Sequence, residues 1–248
     1  MPLYYGALIR FGKVSNGLII GCSFAGPSFI PLPHKRKIEK TDFSSVGYWG
    51  FLNKKNTYDV YNLVGRGYLD YFVILKQLGE KLKSYDFILI QETIEPRVSF
   101  FPDLNDVELY EYDNVKLHRL PGTTLYTRKE IETAMKLYEK YLHKGKAFSF
   151  ISKRFINDAV SKVNFLLKSF DIPTFCFSFG EPFWKHSFVK RLEIPFVCNS
   201  LMYDKRYHHF ILEKYEKNHH IGHLNITGNT KLGNMLHESL IKQCEQYI

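Results

Sequence analysis

The sequence predicts an α/β protein, a three-layer α/β/α sandwich around a central, mostly parallel five-stranded sheet. Two observations favour this class. Apolar runs alternate with helical patterns along the chain, and the strand candidates are β-rich apolar runs, the first of them continuous as in a doubly buried parallel strand. No internal repeat or low-complexity linker divides the 248 residues. We therefore expect a single domain over 1–248, with an irregular, aromatic insertion at about 98–126.

The strand and helix candidates follow one another in an order typical of a doubly wound sheet. The strand candidates are "NGLIIGCSF" (16–24), "TYDVYNLVG" (57–65), "YDFILIQET" (85–93), "IPTFCFSF" (172–179) and "IPFVCNS" (194–200). Amphipathic spacing predicts helices over 69–85, 127–142, 151–170 and 227–246. The segment 4–14 is a candidate for an extra hairpin. In such a sheet we expect the site at the carboxyl ends of the strands.

Composition limits the function without choosing it. The net charge of +9 favours anionic partners in general, but the basic clusters are short and match no nucleic-acid motif, so nucleic acid is the weakest of the candidate partners. No apolar run is long enough for a membrane helix and no secretion signal is visible, so a cytoplasmic protein is the default, while a virion or phage protein would look the same. The four widely separated cysteines predict reduced thiols.

Four segments are predicted to meet at this edge of the sheet: "GCSF", "NLVGRG", "IQETIEPR" and "HHIGHLNITGN". Their order and spacing resemble the blocks of the SGNH (GDSL-like) hydrolase superfamily of esterases and lipases, which has a flavodoxin-like fold. "GCSF" resembles the Gly-Asp-Ser block with Cys in place of Asp. "HHIGHLN" resembles the Asp-x-x-His block. The resemblance runs from about residue 17 to the C-terminus over a few dozen positions.

The resemblance implies a catalytic centre without a cofactor. It makes Ser23 the nucleophile and His223 the base that takes its proton. The Ser23 and Gly67 backbone N–H groups would form the oxyanion hole, with Gly65 the second choice for the glycine. Without the resemblance, the alternative interpretation of Ser23 is a small residue in a tight turn that has no catalytic role.

Two blocks depart from the family pattern. The third has no Asn, so Thr93 is the nearest replacement donor and Gln91 the alternative. Gln91 is also a candidate substrate-binding residue, and Arg97 would either contact an anionic part of the substrate or cap the turn. In the fourth block His220 stands where the family has Asp. The site is then a Ser-His dyad, a triad with a carboxylate from elsewhere such as Asp204, or a degenerate site.

The resemblance therefore predicts a serine esterase that removes acyl groups, acetyl being the first expectation, from a carbohydrate or another small ester. The alternative is a catalytically degenerate protein of the same fold that binds glycan or an anionic partner. We expect no metal site. His219 and His223 are four residues apart, but Gly222 disfavours a regular helix through them, and no acidic cluster accompanies them.

Overall fold

The protein is described here by a computed structural model, which defines residues 15–22, 47–52, 55–63, 67–92, 107–111, 114–120, 146–178, 189–192, 224 and 226–245. The predicted α/β class is confirmed. The strands are β1 (Asn16–Cys22), β2 (Thr57–Leu63), β3 (Phe87–Gln91), β4 (Glu108–Glu111), β5 (Val115–Leu120), β6 (Thr174–Phe177) and β7 (Lys190–Arg191). The helices are α1 (Tyr68–Leu78), α2 (Lys146–Phe170) and α3 (Ile226–Glu245), with 3-10 helices at Tyr48–Phe51 and Gly79–Ser84.

The described strands form one sheet in the order β4-β5-β2-β1-β3-β6-β7. All pairings are parallel except β4 with β5. Four of the five predicted strands correspond to β1, β2, β3 and β6. Three of the seven described strands, β4, β5 and β7, were not predicted. β4 and β5 lie in the segment 98–126, where the sequence predicts an irregular insertion. The candidates 4–14, 127–142 and 194–200 lie outside the described residues.

The central strand β1 is apolar on both sides because other elements of the fold pack against both faces of the sheet there. Leu18 and Ile20 belong to a core cluster that includes residues of α1 and α2, whereas Ile19 belongs to a second cluster that includes residues of α3 and the 3-10 helix at Tyr48–Phe51. We call these sides the α1/α2 face and the α3 face. Since successive strand residues point to opposite faces, this alternation explains the continuous apolar run in the sequence.

Local signals position α1 beneath the carboxyl edge. The Asp70 carboxylate accepts a hydrogen bond from the Gly67 N–H at 3.0 Å, which stabilises the start of the helix and suits its positive end. The helix ends at Gly79, whose φ of 49° lies in the left-handed region that glycine adopts without strain. The predicted helix 69–85 is thus an α-helix followed by a 3-10 helix.

Candidate functional site at the carboxyl edge of the sheet

The strand order creates a topological switch point at β1. The chain passes from β1 to β2 on one side, and β3 then pairs with β1 on the other side. Ligands of open α/β sheets bind outside the carboxyl ends of the strands at such a point. Ser23 is the residue directly after Cys22, the last residue of β1. The topology therefore supports the edge that the sequence predicts as the site.

Most of the predicted site residues lie outside the described part of the chain, so their side chains are not placed. These are Ser23, Thr93, Arg97, Asp204, His220 and His223. Gly67 and Gln91 are described, and so are the residues next to three of the others: Cys22, Glu92 and Leu224.

Gln91 connects three elements at this edge. It is the last residue of β3 and is completely buried. Its side-chain Nε2 donates to the Cys22 Sγ at 3.3 Å, and its carbonyl oxygen accepts from the Tyr71 hydroxyl at 2.9 Å. The end of β3 is thereby tied to α1 and to the residue that precedes Ser23. Substrate binding by Gln91 stays a prediction, and the structure adds that its amide nitrogen already has a partner.

Gly67 is the N-cap of α1, and its backbone groups are engaged. Its carbonyl oxygen accepts from the Asp70 and Tyr71 N–H groups at 3.1 and 3.3 Å. Its own N–H, which the resemblance assigns to the oxyanion hole, donates to the Asp70 carboxylate. This N–H can therefore stabilise an oxyanion only when Asp70 releases it.

The residue that follows His223 in the sequence is packed on the α3 face of the sheet. Leu224 is buried in the α3-face cluster, which also contains Cys22, the residue before Ser23. Its carbonyl oxygen accepts from the Asn229 Nδ2 at 3.2 Å in the first turn of α3. This bond ties Leu224 to the first turn of α3.

A buried ion pair at this edge was not predicted from the sequence. Glu92 follows β3 and is 0% exposed, and its Oε1 lies 2.6 Å from the Arg191 Nη2 on β7. Burial acts to lower the pKa of the Arg191 guanidinium, but Glu92 raises it overall. Burial, with the Glu92 charge, raises the pKa of the Cys176 thiol to about 12. The sequence signal that could have indicated this ion pair is a carboxylate directly after an apolar strand. Its cation, Arg191, lies 99 positions further along the chain.

Two further buried polar residues belong to the α3 side of the edge, Tyr48 and Asn62. Both are 0% exposed. The Tyr48 ring contacts Phe177 edge-on, with the ring centroids 5.5 Å apart. Burial, and secondarily the nearby Cys22 thiol, holds the Tyr48 pKa well above its usual value, so its hydroxyl keeps its proton at neutral pH. Tyr48, Asn62 and Gln91 can bind a ligand through neutral hydrogen bonds, whereas proton transfer needs groups such as Ser23 and His223.

Within the described ranges, His, Cys, Asp and Glu side chains form no group of three that could hold a metal ion. No helix in the described part of the chain combines the length and apolar character needed to cross a membrane. Comparison with protein-family models and with curated proteins finds no match for this chain. Membership of the SGNH superfamily therefore rests on the four sequence blocks and stays a prediction.

Proposed function

We propose that this protein is a serine ester hydrolase that removes an acyl group, acetyl in the first instance, from a carbohydrate or another small ester. One observation carries the proposal: β1 lies between β2 and β3 in a parallel sheet, and Ser23 directly follows β1 at the switch point. A serine at this place meets substrate at the edge where such folds bind their ligands.

In the proposal His223 is the partner of Ser23, as the sequence resemblance implies. Their chain neighbours Leu224 and Cys22 both belong to the cluster on the α3 face, which is consistent with the two segments lying on the same side of the sheet. The proposal works as a Ser-His dyad or as a triad with a carboxylate from elsewhere, such as Asp204.

The proposed reaction has two steps. The Ser23 Oγ attacks the acyl carbon while His223 takes its proton, and the alcohol leaves with that proton as the acyl-serine ester forms. Water then attacks the acyl carbon and gives a proton to His223; the bond from the acyl carbon to the Ser23 Oγ breaks, His223 returns the proton to that oxygen, and the carboxylic acid leaves. The Ser23 N–H and Thr93 stabilise the oxyanion, and Gly67 contributes when its N–H exchanges Asp70 for the substrate oxygen.

The test is the turnover of p-nitrophenyl acetate and of an acetylated glycan by Ser23→Ala. We expect kcat/KM to fall at least about 10³-fold, because the nucleophile is lost. Ser178→Ala is the matched control. Ser178 directly follows the carboxyl end of β6, so the substitution makes the same chemical change outside the proposed dyad. Unchanged turnover by Ser23→Ala would refute the assignment.

A second candidate function is a degenerate member of this fold that binds a glycan or an anionic partner. The observation in its favour is that the Gly67 N–H is already taken by Asp70, in a chain that also lacks the family's Asn and Asp. A fluorophosphonate probe separates the two functions. Rapid labelling of the wild-type protein that is lost in Ser23→Ala supports the enzyme, and absence of labelling supports the binding protein.

A further inference from the structure

Two buried carboxamides lie on either side of β1 near the carboxyl edge. Asn62, the penultimate residue of β2, is the register partner of Gly21. The β1–β3 register runs from Gly17–Phe87 to Ile20–Ile90, so Gln91 is opposite Gly21 from the other side. Asn62, Gly21 and Gln91 therefore form one row across the sheet. The outer two Cα atoms are two strand spacings apart, roughly 9–10 Å, and the residue between them has no side chain.

Both carboxamides point to the α3 face. Tyr58 and Val60 of β2 belong to the α3-face cluster, and so do Phe87 and Leu89 of β3. Residues two apart on a strand share a face, so Asn62 and Gln91 continue these rows. This is the face on which Leu224, the neighbour of His223, is packed.

The hydrogen-bonding capacity of this row is mostly unused. Within the described part of the chain, neither the Nδ2 nor the Oδ1 of Asn62 has a hydrogen-bond partner, and neither does the Oε1 of Gln91. Buried polar groups are normally hydrogen-bonded, because leaving one unpaired costs free energy. Two such carboxamides in one row, within one residue of the strand ends, indicate side chains that bind a ligand rather than side chains that only fill the core.

A third neutral group belongs to the same corner. The Tyr48 hydroxyl is buried and has no hydrogen-bond partner among the described residues. Its ring contacts Phe177, which is the register partner of Gln91. The corner thus offers amide donors, carbonyl acceptors and a hydroxyl, and none of these groups is ionised at neutral pH.

We propose that Asn62 and Gln91, with the Tyr48 hydroxyl, bind a neutral hydroxyl or amide group of the substrate beside Ser23. The inference rests on the proposed function and narrows its substrate to an uncharged ester that carries such groups, as an acylated neutral sugar does. A charged group is disfavoured, because burying it without an opposite charge costs far more than burying a hydroxyl.

The experiment measures how well the protein discriminates between two esters. O-acetylated N-acetylglucosamine carries hydroxyl and amide groups, whereas p-nitrophenyl acetate carries neither. The measured quantity is the ratio of kcat/KM for the sugar ester to kcat/KM for p-nitrophenyl acetate. In Asn62→Leu we expect this ratio to fall about tenfold, mainly through KM for the sugar ester, because one or two hydrogen bonds to substrate are lost.

Asn164→Leu is the matched control. Asn164 is a buried asparagine on α2, on the opposite side of the sheet, and its replacement should leave the ratio unchanged. An unchanged ratio in Asn62→Leu overturns the inference, even where Ser23→Ala shows that the protein is an esterase.

A binding experiment on the Ser23→Ala protein tests the inference in a second way. It needs no turnover and no substitution of a buried residue in the row. N-acetylglucosamine should shift the side-chain NH₂ resonances of Asn62 and Gln91 in an NMR titration, whereas glucuronate should not. Equal shifts with both sugars, or none with either, overturn the inference. This titration reads the subsite alone, so its outcome is separate from that of the Ser23→Ala activity test.

Discussion

Strand β2 carries one half-buried and one fully buried polar side chain, Asp59 and Asn62, and the two differ in their hydrogen bonding. Asp59 lies on the α1/α2 face, where its carboxylate accepts from the Tyr85 hydroxyl and from the Lys81 Nζ at 3.1 Å, with the His118 Nε2 at 3.9 Å. Asn62, three residues on and on the α3 face, has no side-chain partner within the described residues.

The difference separates a structural polar group from a candidate functional one. Burial would raise the Asp59 pKa, but the nearby His118 ring, the hydrogen bonds from Tyr85 and Lys81, and the Lys81 charge lower it well below its usual range. The ionised form is thus stabilised by the fold, and Asp59 ties the 3-10 helix at Gly79–Ser84 to the sheet. The Asn62 carboxamide makes no hydrogen bond within the described residues, which is the pattern expected of a side chain that binds a ligand.

The largest expected effect concerns a third buried polar group, Glu92, which is paired like Asp59 but more deeply buried. Arg191→Ala should lower the free energy of unfolding by roughly 3–5 kcal/mol, because it leaves a buried carboxylate without its cation. Urea denaturation measures it. The double variant Glu92→Leu/Arg191→Met should recover most of the loss. A loss below about 1 kcal/mol in Arg191→Ala would show that Glu92 is well solvated or otherwise paired.

Removing Asp59 should have the next largest effect. Asp59→Ala should lower the free energy of unfolding by roughly 2–3 kcal/mol, since hydrogen bonds to a charged group are lost and the Tyr85 hydroxyl loses its acceptor. Lys81→Ala is the control within the same network. The Lys81 side chain is 53% exposed, so its loss should cost less than about 1 kcal/mol. Equal losses in the two variants would contradict the assignment of Asp59 as the centre of the network.

The pH dependence of stability should also identify Asp59. Its folded-state pKa is lowered, so its contribution is fully present above the unfolded value of about 4 and is lost as the pH falls towards the folded value. The difference in unfolding free energy between the wild type and Asp59→Asn should be constant from about pH 5 to 7 and shrink below about pH 4. A difference that grows on acidification would have the wrong sign for this mechanism.

The smallest expected effect has the opposite sign and sharpens the contrast within β2. Asn62→Leu should raise the free energy of unfolding by about 1 kcal/mol, because an apolar side chain of similar size removes the cost of burying an unpaired carboxamide. Differential scanning calorimetry would detect it as a higher Tm. A clear loss of stability would instead show that Asn62 is structural, as Asp59 is.

The fold was predictable because its main elements have strong local signals. The apolar run in β1 and the helical spacing in α1, α2 and α3 all predicted the right type of element. β4 and β5 were missed because "ELYE" and "VKLHRL" are short and mixed in polarity. Their pairing with each other and with β2 makes them strands, and no window of the sequence contains those contacts.

The candidate site was predictable only in part, for the same reason. Gln91 was singled out from its block, but its contacts with Cys22 and Tyr71 depend on β1, β3 and α1 meeting in space. Gly67 was correctly assigned to the loop after β2, yet its hydrogen bond to Asp70 was not foreseen, because Asp70 was interpreted only as part of a helix.

The sequence by itself determined the α/β class, the order of the central elements and the position of Ser23 directly after the first strand, since each depends on residues close together in the chain. Only the tertiary structure decided which polar groups are paired. Glu92 pairs with Arg191, which is 99 positions away in the sequence. Asp59 on β2 accepts hydrogen bonds from Tyr85 and Lys81, 26 and 22 positions away. The Asn62 carboxamide has no hydrogen-bond partner among the described residues. Pairing of a buried polar group is a property of the space around it, and that space is built by residues distant in the sequence.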